Sequence, residues 1–220
     1  MFQLVLSLMI VLFPLELLAN CPKIVVSNPP TWQVPLIVID PGHGGKDPGT
    51  HCYTFPKYEE KILALKTAQL VSQNLRELGY RTVLTRNDDT FIELYQRAAF
   101  ANERRAIAFV SIHYNSAANE NVHGIEIFYY QTDPSKRKAQ ASRKMGENVI
   151  KELVNLTQAK NRGVKHANFV VVRETKMPAI LIECGFLTNA QERSKLFDPN
   201  YQESLAMGIA KGLDATIRKK

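Results

Sequence analysis

Three apolar runs that each end in polar, metal-capable residues constrain this chain more than any other feature. They read LIVIDPGHGG (residues 36–45), AFVSIHYN (108–115) and PAILIECGFLTN (178–189), and they deliver His43, His113 and Glu183 to their ends. Short runs of apolar, largely β-branched residues bounded by Gly, Pro or Asn predict buried strands. A buried parallel sheet emits its functional side chains at the C-terminal ends of its strands, so the three residues are expected to converge on one rim.

Between these runs the periodicity changes. Ile62, Leu65, Ala68, Val71, Leu75 and Leu78 recur at three- and four-residue intervals before Gly79, which predicts an amphipathic helix with a glycine stop. RTVLT (81–85) reads as a strand, and Asp89 or Thr90 is placed to cap a helix running to about Arg105. AIAFVSI then leads to His113 as a strand, and GIEIFYY (124–130) alternates like another. A charged helix is expected over 134–156, followed by a loop carrying NRGV, a strand NFVVVR, the strand AILIE and a last helix with Leu205, Ile209, Leu213 and Ile217 at four-residue spacing. Alternating strands and helices predict one α/β domain over residues 36–220, a mostly parallel twisted sheet of about six strands flanked by helices on both faces. The length of 220 residues suits one well-filled core.

The chain opens MFQLVLSLMIVLFPLELLAN, apolar but for Glu16 and a few polar residues, and interrupted by Pro14. This is short for a membrane helix and resembles the apolar region of a secretory signal peptide, although no Lys or Arg precedes it. The expectation is export to the periplasm or cell envelope, with residues 1–20 removed and residues 21–35 a linker or irregular segment. An uncleaved anchor is the alternative, and LLANC loosely resembles a lipid-attachment box ending at Cys21. Without residues 1–20 the chain keeps 28 basic residues against 20 acidic ones (21 less Glu16), a net +8. Such a surface favours anionic partners, among them wall polymers, nucleic acid and phospholipid. The cysteines, Cys21, Cys52 and Cys184, are odd in number and lack CxxC spacing, so they define neither a disulfide framework nor a zinc ribbon. Cys184 reads as a small core residue.

The chemistry centres on the histidines. His43 lies in a glycine-rich turn that lets backbone approach a ligand closely. Asp40, three residues earlier, is placed either to take a hydrogen bond from the ring or to brace the loop. His113 ends its strand in the same fashion, between Ser111 and Asn115. Two histidines in matching positions favour a metal, and a hydrolytic zinc site needs a third nitrogen or oxygen ligand with one position open. Glu59 and Glu60, at the start of the first helix, are the candidates. A carboxylate there also simply complements the helix dipole.

The strings IVIDPGHGGKDPGT, Glu60-Lys61, LTR (84–86), LYQRAAFAN (94–102), SIHYN, NRGV and LIECGFLTN, in that order across about Leu36 to Ile217, together resemble the zinc-dependent N-acetylmuramoyl-L-alanine amidases of the amidase-3 type. The resemblance implies that His43, Glu60 and His113 bind one Zn2+ and that Glu183 is the catalytic carboxylate. It implies hydrolysis of the amide between the lactyl group of N-acetylmuramic acid and the L-alanine of the stem peptide. Peptidoglycan, rather than nucleic acid, would then be the partner of the basic surface. Zinc lowers the pKa of a bound water towards about 7 and polarises a carbonyl. Glu183 is expected to move the proton, its basicity raised by burial.

Arg162 and Arg173 are candidates for the anionic stem peptide, since a guanidinium matches a carboxylate with two parallel bonds. Asn115, beside His113, joins them. The stretch HCYTFPKY (51–58) lacks the small residues usual in such amidases, so the loop beside Glu60 is expected to have its own shape. Tyr130 runs directly towards the next helix, without the long inhibitory insertion that some relatives carry. The expectation is a monomer that needs no activator and has no transmembrane helix after signal removal. SKRK (135–138) matches a serine acyltransferase pattern at Ser135, but reads better as a solvated basic face.

Overall fold

The computed structural model describes residues 34–52, 57–133 and 136–218. The expected leader, Cys21, Ser135 and the centre of the HCYTFPKY loop lie outside the described residues. No helix among those described is long and apolar enough to cross a membrane.

In chain order the elements are β1 (Leu36–Pro41), β2 (His51–Cys52), β3 (Tyr58–Glu59), α1 (Glu60–Glu77), β4 (Arg81–Leu84), α2 (Leu94–Glu103), β5 (Ala108–Asn115), β6 (Ile125–Tyr129), α3 (Arg137–Thr157), β7 (Asn161–His166), α4 (Val170–Arg173), β8 (Ala179–Phe186), α5 (Ala190–Leu196) and α6 (Pro199–Ile217). Six strands form one sheet in the order β4-β1-β5-β8-β6-β7, and β2 pairs antiparallel with β3 in a small ribbon. Every pairing in the large sheet is parallel except that of β6 with β8. The expected α/β architecture with a mostly parallel six-stranded sheet is therefore the observed one.

The two faces of the sheet are covered unequally. The long helices α1, α3 and α6 pack on one face, where Val71, Val149, Ile209 and Leu213 meet Ile39, Ile112, Ile127 and Ile182. Among the described residues the other face carries only α2 and the single turn of α4, over a smaller cluster of Val38, Phe109, Leu181, Ala101, Val171 and Val172. Short cover leaves the upper part of that face open, and the cavity described below lies there.

β2, β3 and α5 add to the expected elements, and three expected segments take another form. NRGV is strand, not loop: it begins β7, an edge strand whose polar residues and Gly163 (φ 91°) conceal it, and whose register with β6 shifts between Ile125 and Ile127. The VVVR part of NFVVVR is helix, not strand. Val171 and Val172 bury themselves in the smaller cluster, while the Lys138 ammonium donates to the carbonyls of Val172, Arg173 and Thr175 and so closes the turn's C-terminal end. Tertiary contacts override β-branched propensity. Helix α2 starts at Leu94 rather than near Asp89, because Asp88 accepts from the backbone and hydroxyl of Thr90 while Asp89 bonds Gly45 and Lys61.

Candidate active site

Strand register puts the chemistry on one face. Asp40 pairs with Ser111 across β1 and β5, His113 pairs with Glu183 across β5 and β8, and Glu183 pairs with Glu126 across β8 and β6. Registered partners point the same way and side chains alternate, so all five face the thinly covered side with Phe109 and Leu181.

The turn carrying His43 is held by two buried arginines. Arg97 donates to the carbonyls of Pro41 (2.7 Å), His43 (2.7 Å) and Ile92 (2.9 Å), and to Asp40 Oδ1 (3.0 Å). Arg86 donates to the carbonyls of Pro41, Gly42, Lys61 and Asp88. Asp40 is fully buried and also accepts from Thr85 and Ser111. It therefore braces the loop and leaves the imidazole to another acid. These bonds hold His43 at φ 60°, a left-handed conformation that a non-glycine residue adopts only when its surroundings impose it. Lys61 adds a third tie, from its ammonium to the Gly45 carbonyl and to Asp89.

The two histidines and Glu60 meet at one point. His43 Nε2 and His113 Nδ1 each lie 3.0 Å from Glu60 Oε1 and 3.2 Å from each other. The other ring nitrogen of His43 bonds Asp47 Oδ2 at 2.8 Å, which assigns its proton to Nδ1 and leaves the Nε2 lone pair facing inwards. Glu60, at the first position of α1, accepts from the Tyr114 amide through Oε1 and from the Thr50 amide through Oε2, both at 2.9 Å. Burial opposes ionisation of Glu60, but His113 and His43 outweigh it and hold the carboxylate well below the usual range. Burial likewise opposes the charged form of His43, while Glu60 and Asp47 more than offset it and raise its pKa.

This donor set fits a metal ion. Two imidazole nitrogens and a carboxylate oxygen converge on a shared centre, where a cation can take the place of the protons that otherwise bridge them. Their spacing is close to the roughly 3.3 Å between ligand atoms in a tetrahedral site with bonds of about 2.0–2.1 Å. The surrounding backbone is cut to fit: a Cβ on Gly42 would fall 2.2 Å from the His113 ring, and one on Gly49 would fall 2.6 Å from Glu60 Oε2. Glu59, the alternative candidate, stands at the N-cap of α1 and pairs with Lys61 at 3.4 Å.

Beside this centre a cavity of about 470 Å³ is lined by His43, Glu60, His113, Asn115 and Glu183, and by apolar residues from α2 and α4. Glu183 keeps some exposure, yet its Oε2 is shut off from solvent and has no hydrogen-bond partner. Burial, with Glu60 and Glu126 adding like charge, pushes its pKa well above the usual range. Glu126 is itself partnered: Oε1 accepts from the Asn115 side-chain amide (2.7 Å), and Oε2 accepts from Arg162 (3.1 Å) and Lys165.

The structure thus brings together His43, Glu60, His113, Asn115 and Glu183, with Arg162 one contact further out through Glu126. Arg173 stands apart on the exposed end of α4, bonded to Asn168, Glu174 and Tyr95. Cys184 is buried in the larger core, as expected, where burial raises its thiol pKa. Sequence reasoning missed Asp47, Arg86, Arg97 and Glu126. Asp47 had a signal, lying four residues after His43; Arg86 and Arg97 lie inside LTR and LYQRAAFAN, but nothing in those letters says what either guanidinium will hold.

A six-stranded α/β sheet whose rim gathers two imidazoles and one carboxylate, with a second carboxyl beside them, has the donor set of mononuclear metal-dependent hydrolases. The chain belongs to the N-acetylmuramoyl-L-alanine amidase family, whose pattern it matches over residues 37–215. Among its relatives is the uncharacterized protein YqiI of Bacillus subtilis, 36% identical over 81% of this chain and 83% of that protein. The N-acetylmuramoyl-L-alanine amidase AmiC of Neisseria meningitidis is 31% identical over 83% of this chain, which spans only 53% of that longer protein. Among solved structures, an N-acetylmuramoyl-L-alanine amidase from Clostridium difficile 630 superposes with a TM-score of 0.80 at 37% identity, covering 88% of this chain and all of the other.

Proposed function

We propose that this chain hydrolyses the amide joining the lactyl group of N-acetylmuramic acid to the L-alanine of the peptidoglycan stem peptide, with Zn2+ held by His43, Glu60 and His113 and with Glu183 carrying the proton. The single observation that carries this reading is the convergence of three ligand atoms within 3.0–3.2 Å of one another, beside a carboxyl oxygen that is buried and unpartnered. Family membership supplies the substrate class.

Zinc, when bound, supplies Lewis acidity towards a carbonyl oxygen and makes water a better acid. Asp47 fixes the tautomer of His43, and the Tyr114 and Thr50 amides orient Glu60, so the ligands are set before substrate arrives. Glu183 takes a proton from the attacking water as the new C–O bond forms, then delivers it to the departing nitrogen of L-alanine as the C–N bond breaks. Its raised pKa makes it a stronger base for the first transfer and a competent acid for the second. Asn115 lines the cavity with Arg162 behind it through Glu126, where both serve the stem peptide, while Arg173, outside the cavity on the exposed end of α4, is left to the approach of the substrate.

Strand β6 ends at Tyr129 and α3 begins at Arg137, a connection too short for an inhibitory helix, which supports activity without an activator. The apolar leader and a wall substrate together support export to the envelope. The test is digestion of isolated sacculi by the purified, zinc-loaded protein, read by mass spectrometry. Intact stem peptides and peptide-free glycan are the expected products. Glycan fragments still bearing peptides, or shortened peptides, would refute the assignment.

A further inference from the structure

Three of the six large hydrophobics that are exposed among the described residues gather at one place: Leu94 (51% exposed) and Tyr95 (62%) at the start of α2, and Phe169 (40%) immediately before α4. Leu94 and Phe169 line the cavity, and the Tyr95 hydroxyl lies 3.4 Å from the Arg173 guanidinium, which ties the tyrosine to α4. Phe169 is set edge-on against Phe128, their centroids 5.4 Å apart. Phe91, under the Lys46 ammonium at 4.4 Å, continues this wall towards the His43 turn.

Next to this wall the chemistry changes, the two regions meeting at Phe128, which has Phe169 against it and the Lys165 ammonium 5.9 Å from its centroid. There Asn115 meets Glu126, which gathers Arg162 and Lys165. One stretch of the cleft is thus apolar and aromatic, with the Tyr95 hydroxyl, Arg173 and Lys46 at its margin, and the next presents the Asn115 amide, backed by Glu126 with Arg162 and Lys165. An exposed apolar patch rimmed by polar groups on a deep cleft marks a ligand groove rather than chance.

Resting on the amidase reading, we infer that the Leu94–Tyr95–Phe169 wall binds the glycan strand, and so fixes the direction in which substrate crosses the centre. The substrate has two unlike halves on either side of the scissile amide. The stem peptide carries carboxylates, which match the Arg162–Lys165 side. The sugars carry no charge near the bond, but present flat C–H faces edged with hydroxyl and acetamido groups. Such faces lie on rings that offer an apolar body and a polar rim. The aromatic wall therefore takes sugars beyond the muramic acid that is cleaved, and it selects polymeric glycan over single-sugar fragments.

The experiment compares wild type, Tyr95→Ala and Tyr95→Phe on two substrates, a single N-acetylmuramoyl peptide and a glycan oligomer of several disaccharides bearing the same peptide. Tyr95 is exposed, so its removal should leave folding intact, and circular dichroism verifies this. Tyr95→Ala should raise KM for the oligomer about tenfold more than for the single-sugar substrate with kcat little changed, while Tyr95→Phe restores most of the preference. Peptide-free glycan should inhibit wild type competitively and inhibit Tyr95→Ala less. Equal effects on both substrates, or none, in an enzyme that still releases stem peptides would overturn the inference and leave the amidase reading standing. Concentration-dependent self-association that is lost in Tyr95→Ala, with the preference unchanged, would assign the wall to a second copy of the chain instead. No release of stem peptides by wild type would remove both.

Discussion

His113 and Glu183 are register partners on adjacent parallel strands, so one ladder of backbone hydrogen bonds holds both the imidazole of the candidate metal centre and the unpartnered carboxyl beside it. Strand spacing of about 4.8 Å thereby fixes the offset between the candidate metal centre and Glu183 without any side-chain bond between them. The arrangement leaves Glu183 without a stabilising partner, and the sheet, not the carboxyl, holds it there.

That cost has a pH signature. With its folded pKa raised, Glu183 retains a proton in the native state that the unfolded chain releases once pH passes the ordinary carboxylate value. The native state is therefore not penalised at low pH, and loses stability as pH climbs from that ordinary value towards the folded one, by about 1.4 kcal/mol per unit while the two states differ by one proton. In metal-free protein, Glu183→Gln should melt at a higher temperature than wild type at pH 7–8, and the gap should close near pH 4. Thermal scans across that range check this; a gap that is constant with pH, or that widens towards acid, contradicts it.

Asp47 should tune metal affinity while touching no metal itself. Asp47→Ala frees the Nδ1 proton of His43 and lets the ring reorient, which should weaken zinc binding about 10- to 100-fold. Competition titration with a chromophoric chelator reads this directly, and unchanged affinity would show that the loop alone orients the ring.

Arg97 is 2% exposed and joins Asp40 to the carbonyls of Pro41 and His43. Replacing it with Met strands a buried carboxylate and three carbonyl acceptors, and should cost about 3–5 kcal/mol in urea unfolding. Arg104→Met, at a side chain that is 41% exposed and pairs with Glu103 at 3.8 Å, should cost well under about 1 kcal/mol.

The sheet and the residues that gather at its rim were legible because their signals are local. Apolar strand runs, the three- and four-residue spacing of α1, and the turn chemistry around His43 each write themselves into a few adjacent letters. What was hidden depends on distant partners. VVVR is β-branched, and nothing near it announces that Lys138, more than thirty residues earlier, will close it as a helical turn. NRGV carries a glycine and two polar residues, and is a strand only because β6 offers it an edge. Arg86 and Arg97 sit in LTR and LYQRAAFAN, and only the fold buries them against the DPGHGG turn. Asn189 and Glu192 were different: an N-cap with an acid three residues on, preceding α5, is a readable start signal that went unread.

The central claim is that Glu183 moves the proton while His43, Glu60 and His113 hold the metal. The most direct test counts new L-alanine amino termini released from sacculi by zinc-loaded Glu183→Gln, with bound zinc measured on the same sample. The account predicts one zinc per chain, as in wild type, and a rate lower by about 10²- to 10⁴-fold. Near wild-type release at full zinc occupancy would contradict it.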